Sequence, residues 1–370
     1  LRYNAPKDII NRSGFDQFIE EIMINFKGLT LLTPKPNWAQ NLEIIDFSPP
    51  FLLRGGDLQT MANRIIKTTD FVEGPNTTPI KVSLSNGHGD ALVGLLDHPD
   101  KRITGKPNKN PLVLMVHGLG GEASSVYCCQ TTGYLLRLGY SCLRLNMRGA
   151  GPSAKTSRGF YHAGKSDDLR DFIKGLPDDL TKNGVFVAGY SLGANITLKM
   201  LGEPNVPAAI IGAVAISPPI SLKSSQLTID SFRNFPYLRY LMDKLRVVLD
   251  NAQVDISPTG LSLDQAKSLK KIWDFDDKVI APLNCFKGAD DYYNQCSCKS
   301  YLKFIKTPTL IVHAATDPWI PPDDFIDSEK TAGTGCLMAL INDGGHVGFH
   351  QREKNPTWHD QMIANLLGVL

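Results

Sequence analysis

The stretch Val185-Phe-Val-Ala-Gly189-Tyr190-Ser191-Leu192-Gly193-Ala194 decides how this chain is read. Four apolar residues run into G-x-S-x-G, and an apolar helical pattern follows at once over 192–201. A strand that ends in a serine and passes directly into a helix must turn sharply, which strains the serine backbone and exposes its Oγ. Glycines at 189 and 193 suit that demand, because a Cβ at either position would run into the turn. The amino end of the following helix points at the serine and favours negative charge developing on a bound oxygen. Ser191 is therefore expected to be a nucleophile, and the backbone N–H of Leu192 one donor to that oxygen.

Three further segments supply what such a serine needs. Leu112-Val-Leu-Met-Val-His117-Gly118-Leu119-Gly120-Gly121 is a buried strand running into a glycine-rich turn, and its Leu119 N–H is expected to be the second oxyanion donor. Pro308-Thr-Leu-Ile-Val-His313-Ala-Ala-Thr-Asp317-Pro318 ends a β-rich run in an acid held by a turn, suited to orient an imidazole. Asn342-Asp343-Gly344-Gly345-His346-Val347-Gly348-Phe349 places a histidine in a glycine-rich loop after the last strand. The chain order Ser191, Asp317, His346 differs from that of trypsin-like and subtilisin-like proteases and matches a nucleophile elbow on a parallel sheet.

Other residues compete for these roles. His117 sits at a strand–turn junction, where holding the loop is the expected task, and His162 reads as a satisfied loop histidine. His350 follows the turn and is expected at the surface. Asp343 precedes the glycines, while Asp167 and Asp168 are expected to cap a helix. Cys128 and Cys129 lie near the glycine loop but on no sharp turn, which suggests core packing.

Short apolar runs at 80–84, 91–96, 112–116, 141–145, 185–188, 210–216, 309–312 and 336–341 read as strands, the first two as a hairpin turned by Asn86-Gly87-His88-Gly89. Helical patterns at 125–138, 165–176, 192–201 and 356–367 lie between or after them. Near-continuous Val, Ile and Leu indicates strands covered on both faces. The expected fold is α/β: an α/β-hydrolase with a mostly parallel eight-stranded sheet flanked by helices. Residues 1–370 are taken as one domain, with 80–219 and 307–370 as the core. Residues 1–79, rich in proline, read as an arm wrapped on that core with one helix over 15–26. Residues 220–306 read as a helical cap insertion, since a structureless loop of that length is improbable.

Composition narrows the partners. Among 370 residues, 42% are hydrophobic and 21% charged, with a net charge of +2 and no concentrated basic stretch. No nucleic-acid partner is implied. Seven cysteines are an odd number scattered along a long chain. They imply no complete disulfide framework, and Cys285, Cys296 and Cys298 lack a fourth ligand at a standard zinc spacing. No apolar run reaches the ~18 residues that span a bilayer, and no secretory signal is visible. The chain starts at Leu1 rather than Met, which leaves an upstream signal or anchor open. A cytoplasmic or membrane-associated intracellular location is favoured over secretion. Membrane contact and oligomeric state stay open.

Taken together, the sequence resembles the YheT-like α/β-hydrolases. The resemblance is carried by the H-G-L-G-G loop and by Asn146-Met-Arg148-Gly149-Ala-Gly151, Tyr161-His162-Ala-Gly164 and Gly189-Tyr-Ser191-Leu-Gly193-Ala-Asn195. Asp276-Asp277, Ala281-Pro282, Asp291-Tyr-Tyr293, Asp317-Pro318, the His346 loop and Leu58-Gln59-Thr60 add to it. One departure is that the acid near the oxyanion loop follows two glycines, as Glu122, where the family often has it at the position of Gly120. The family comprises embryo-associated hydrolases, medium-chain ethyl ester synthase/esterases and phospholipase-like members. The resemblance implies a carboxylic-ester hydrolase or acyltransferase with Ser191, Asp317 and His346 as its triad. A small-molecule ester or lipid with an apolar acyl chain is the expected substrate, and this chemistry needs no cofactor or metal. The alternatives are an alcohol O-acyltransferase with the same residues, a phospholipase-type hydrolase, and a non-catalytic hydrolase fold used for binding.

Overall fold

The computed structural model describes residues 24–66, 77–100, 110–351 and 356–370. Among them, ten strands form one sheet: β1 (Ile24–Phe26), β2 (Leu29–Leu31), β3 (Thr77–Ser83), β4 (Ala91–Asp97), β5 (Leu112–Val116), β6 (Cys142–Asn146), β7 (Val185–Tyr190), β8 (Ile210–Ile216), β9 (Thr309–Ala314) and β10 (Cys336–Ile341). Their spatial order is β1-β2-β10-β9-β8-β7-β5-β6-β4-β3. The six from β5 to β10 pair parallel. β4 runs antiparallel to both β3 and β6.

Each residue of β5 and β7 is buried, and successive side chains enter opposite layers as the pleat requires. Leu114, Val116 and Val187 pack on one face with helices α3 (Ser166–Lys174) and α4 (Leu192–Gly202). Val113, Met115, Phe186 and Ala188 pack on the other with α2 (Val126–Arg137) and the last helix, Trp358–Leu367. The eight strands expected from apolar runs all form. β1 and β2 were not expected: each has three residues, and β2 is set by pairing with the exposed edge of β10, Leu29 opposite Ile341, rather than by a pattern of its own. The helix expected over 15–26 lies outside the described residues up to 23, and its last three residues form β1.

The arm continues into helix α1 (Gly56–Ile65), which no pattern had marked. Before it, Phe47 is buried edge-on to Phe349 at 6.2 Å and Trp358 at 6.3 Å, and the Trp358 indole N–H donates to the Ile45 carbonyl at 2.8 Å. Between β8 and β9 the chain is largely helical. Within this stretch, Phe235–Asn251 buries Leu238, Leu241, Met242, Leu245 and Leu249 at helical spacing. Tyr293 donates to Asp276 at 2.6 Å in the same segment, and burial pushes the Asp276 carboxyl up to about 7. No helix among the described residues is long and apolar enough to cross a membrane.

If the arm is an integral layer, Phe47→Ala should cost about 3–5 kcal/mol, as truncation of buried aromatics generally does. Urea unfolding would then show a clearly lowered midpoint. An unchanged midpoint would mean that the arm only drapes over the core.

Candidate active site

Ser191 lies between β7 and α4 with φ 52° and ψ −120°, a region that residues with a Cβ rarely enter. The turn tolerates this because α4 comes very close to β5: a Cβ on Gly193 would sit 2.3 Å from the Val116 carbonyl oxygen. Gly118 touches the serine from the other side, its notional Cβ 3.0 Å from Ser191 Cβ.

His346 Nε2 is 2.7 Å from Ser191 Oγ, and His346 Nδ1 is 2.9 Å from Asp317 Oδ2. A carboxylate only accepts, so Nδ1 carries the proton and Nε2 is free to accept from the serine hydroxyl. Asp317 is buried. Its other oxygen, Oδ1, accepts from the backbone N–H groups of Trp319 at 2.8 Å and Ile320 at 3.2 Å. Burial acts to raise its pKa, but His346, His313 and the Trp319 N–H together outweigh this and hold the carboxyl below its ordinary range. Trp319 stacks on the His346 ring at 4.2 Å and 26°.

Helix α1 and the residue before it brace the His346 loop. Gly55 N–H donates to Asp343 at 2.8 Å, and His346 N–H donates to Thr60 Oγ1 at 2.8 Å. Gln59 makes two bonds to the His350 backbone: its amide donates to the carbonyl at 3.0 Å and its oxygen accepts the N–H at 2.8 Å. The contact is so close that a Cβ on Gly348 would sit 2.2 Å from the Gln59 carbonyl oxygen. His350 is therefore buried beneath the arm, its Nε2 2.8 Å from Asn63 Oδ1, and not on the surface as expected. The position of His350 after the turn gave no sign that the arm returns over it.

The remaining candidates lie elsewhere. His117 holds the loop: Nε2 accepts the Met147 N–H at 3.1 Å, so Nδ1 donates to the Gly118 carbonyl at 2.9 Å. His162 is buried against Phe286 and Tyr292. Asp168 caps nothing; it takes Arg148 through two bonds of 2.7 and 2.9 Å, and Arg148 also reaches Asp90 at 2.7 Å. Asp167 likewise makes no cap and pairs with Arg170. Cys128 is buried in the core, Cys296 and Cys298 are buried, and Cys285 is exposed. No metal-sized cluster of three or more His, Cys, Asp or Glu forms among the described residues.

A cavity of about 950 Å³ opens on Ser191 and His346. Its walls come from α1 (Met61, Ile65), from α2 (Val126, Tyr127) and from Phe235–Asn251 (Pro236, Tyr240, Val247, Val248). At its rim, Asp57 of the arm accepts from Arg233 at 2.8 Å and from the Tyr237 hydroxyl at 3.0 Å, tying arm to helical segment. Thr60, Trp319 and Tyr237 have no role in the sequence reading; Thr60 stands in the Leu58-Gln59-Thr60 feature of the resemblance, but nothing there or around Trp319 and Tyr237 announces contact with the site.

The sheet order, with a serine on a tight strand-to-helix turn and a histidine and aspartate reaching it from later loops, defines an α/β-hydrolase fold. The chain belongs to the alpha/beta hydrolase fold family, whose model matches residues 111–353. It is 28% identical over 240 residues to the putative esterase YheT of Escherichia coli, covering 65% of this chain and 70% of that protein. Against the monoacylglycerol lipase of Saccharomyces cerevisiae it is 25% identical, covering 73% of this chain and 62% of that one. Identity to the medium-chain fatty acid ethyl ester synthase/esterase 2 of the same yeast is 25%, over 69% of this chain and 61% of that one. The chain thus spans less than two thirds of either yeast relative. An esterase of Pyrococcus furiosus superposes with a TM-score of 0.52 at 17% identity over 79% of this chain and 90% of that one, a likeness of fold. The resemblance drawn from the motifs is upheld.

Five buried histidines set a pH dependence of stability. Burial pushes His117, His313 and His350 each down from 6.5 to about 4, holds His162 well below 6.5 and lowers His359. Between those values the unfolded chain holds protons that the folded chain does not, so stability rises with pH across this window and is lost as pH falls through it. Urea unfolding at successive pH values should show falling stability from about 6.5 towards about 4, with uptake of up to about five protons on unfolding. A flat profile over that range would contradict the burial of these rings as neutral groups.

Proposed function

We propose that the chain is a serine carboxylic-ester hydrolase acting through an acyl-enzyme. The observation that carries this reading is the continuous relay from Ser191 Oγ through His346 to Asp317, at 2.7 and 2.9 Å, on the floor of the cavity. Ser191 Oγ attacks the acyl carbon while His346 Nε2 takes its proton, and Asp317 stabilises the imidazolium. The carbonyl oxygen becomes an oxyanion that receives the Leu119 and Leu192 N–H groups. Collapse breaks the bond to the alcohol, which leaves with the proton from His346. Water then attacks the acyl carbon, gives a proton to His346, and the carboxylic acid departs as Ser191 regains it.

Met61, Ile65, Val126, Val247 and Val248 along the walls suit an apolar acyl chain. We read residues 220–306 as the cap that supplies one of those walls, with 1–79 as the arm supplying another. Acyl transfer to an alcohol is the second reading, favoured by the likeness to the yeast ester synthase/esterase. It uses the same residues and differs only in which hydroxyl resolves the acyl-enzyme.

Hydrolysis of p-nitrophenyl esters from acetyl to palmitoyl should fall at least about a thousandfold in Ser191→Ala, since loss of a nucleophile leaves only binding and oxyanion contributions. Equal rates in wild type and variant would refute the assignment. Adding ethanol to the same assay separates the two readings: ethyl ester formed well above the ratio set by the two concentrations marks the transferase.

A further inference from the structure

The glycine loop after β5 has its amides taken one by one. Gly118 N–H donates to the Tyr127 hydroxyl at 2.9 Å, Gly120 N–H to the Tyr161 hydroxyl, and Gly121 N–H to the Gly118 carbonyl at 3.1 Å. Glu122 N–H donates to Ser125 Oγ at 3.0 Å and Ala123 N–H to Asn146 Oδ1 at 2.9 Å. From 118 to 123, the Leu119 N–H alone has no partner among the described residues.

The other end of the same peptide unit is held hard. The Gly118 carbonyl accepts from His117 Nδ1 at 2.9 Å, from Gly121 N–H and, at 3.5 Å, from the Tyr161 hydroxyl. Because a trans peptide is planar, fixing its C=O on one side aims its N–H to the other. Donors on the oxygen also polarise the unit and strengthen the N–H as a donor. Tyr161 meets the loop on both sides of Leu119 and is itself carried there: its N–H bonds the Arg148 carbonyl at 3.0 Å, and its ring stands edge-on to His117 at 5.3 Å. The Arg148 guanidinium is in turn held by Asp90 and Asp168. Burial raises the pKa of both Tyr127 and Tyr161, so both stay neutral hydroxyls.

We propose that Tyr161, seconded by Tyr127, is a positioning residue that saturates the neighbouring amides and presents the Leu119 N–H to the oxyanion. The Asn146–Gly151 and Tyr161–Gly164 motifs then serve to deliver Tyr161 to the loop. This rests on Ser191 being the nucleophile.

The test is Tyr161→Phe, with Tyr127→Phe as a second variant, each checked for folding by circular dichroism and thermal unfolding. A single oxyanion donor is worth about 10²–10³ in rate, so misaiming it should lower kcat by roughly ten- to a hundredfold with KM changed less than about threefold. A trifluoromethyl ketone forms its own oxyanion at Ser191, and its inhibition constant should rise by the factor by which kcat/KM falls. Packing damage alone would lower thermal stability without linking those two factors. Wild-type kcat and ketone affinity in folded Tyr161→Phe, or a change confined to KM, would overturn the proposal. Should Tyr161→Phe not fold, the same two readouts in Tyr127→Phe decide it. Ser191→Ala separates the premises: if it retains wild-type turnover, the nucleophile assignment itself fails. If it is inactive while the tyrosine variants run at wild-type rate, only the positioning role fails.

Discussion

The site is organised around one strained residue. Ser191 holds a backbone conformation with φ 52°, and it can do so only because β7, α4 and the end of β5 are packed too tightly to let the turn relax. Parallel pairing of β7 with β5 on one side and β8 on the other fixes the strand that carries it. Once that turn is fixed, the carboxyl ends of β5, β9 and β10 all lie on its side of the sheet, so the loops that follow them reach the serine without long excursions. This is the general rule of open parallel sheets, where sites gather outside the carboxyl ends of the strands.

Much of this was legible because the physics involved is local. Strands buried on both faces cannot alternate, so β5, β7 and β8 announce themselves as apolar runs, and β9 by its Leu310-Ile311-Val312 centre. The serine turn shows in its glycines because close backbone approach excludes a Cβ. What stayed hidden is set by partners far away in the chain. Nothing within α1 says that Gln59 will bind the backbone of His350, or that Thr60 will accept from His346. Asp168 has the spacing of a helix cap, yet the guanidinium of Arg148, twenty residues earlier, offers it two charge-assisted bonds, which are stronger than one backbone bond. The two strands of the arm escape notice for the same reason, since β2 is defined by the edge it covers.

The polar interior follows one logic throughout. Buried ionisable groups are either kept neutral or fully paired. Burial disfavours the charged forms of His117, His162, His313, His350 and the tyrosines around the glycine loop, while Arg144 lies against Asp97 at 2.9 Å and Arg148 against two carboxylates. Among the buried groups around Ser191 this leaves one relay set in fixed dipoles, while Asp57, Glu122, Arg233 and Lys244 bring charge to the lining of the cavity.

The docking of α1 onto the loop around Asp343, His346 and His350 joins residues nearly three hundred positions apart, with separations of 283 to 291 among the hydrogen bonds involved. Contacts of such range form late, because the loop closed between them must first lose its freedom. During synthesis the serine turn, its glycine loop and the cavity wall all emerge from the ribosome before the histidine loop does. The contact between Ser191 and His346 therefore closes only after the serine turn has emerged, and a nascent chain carries Ser191 without the His346 ring beside it.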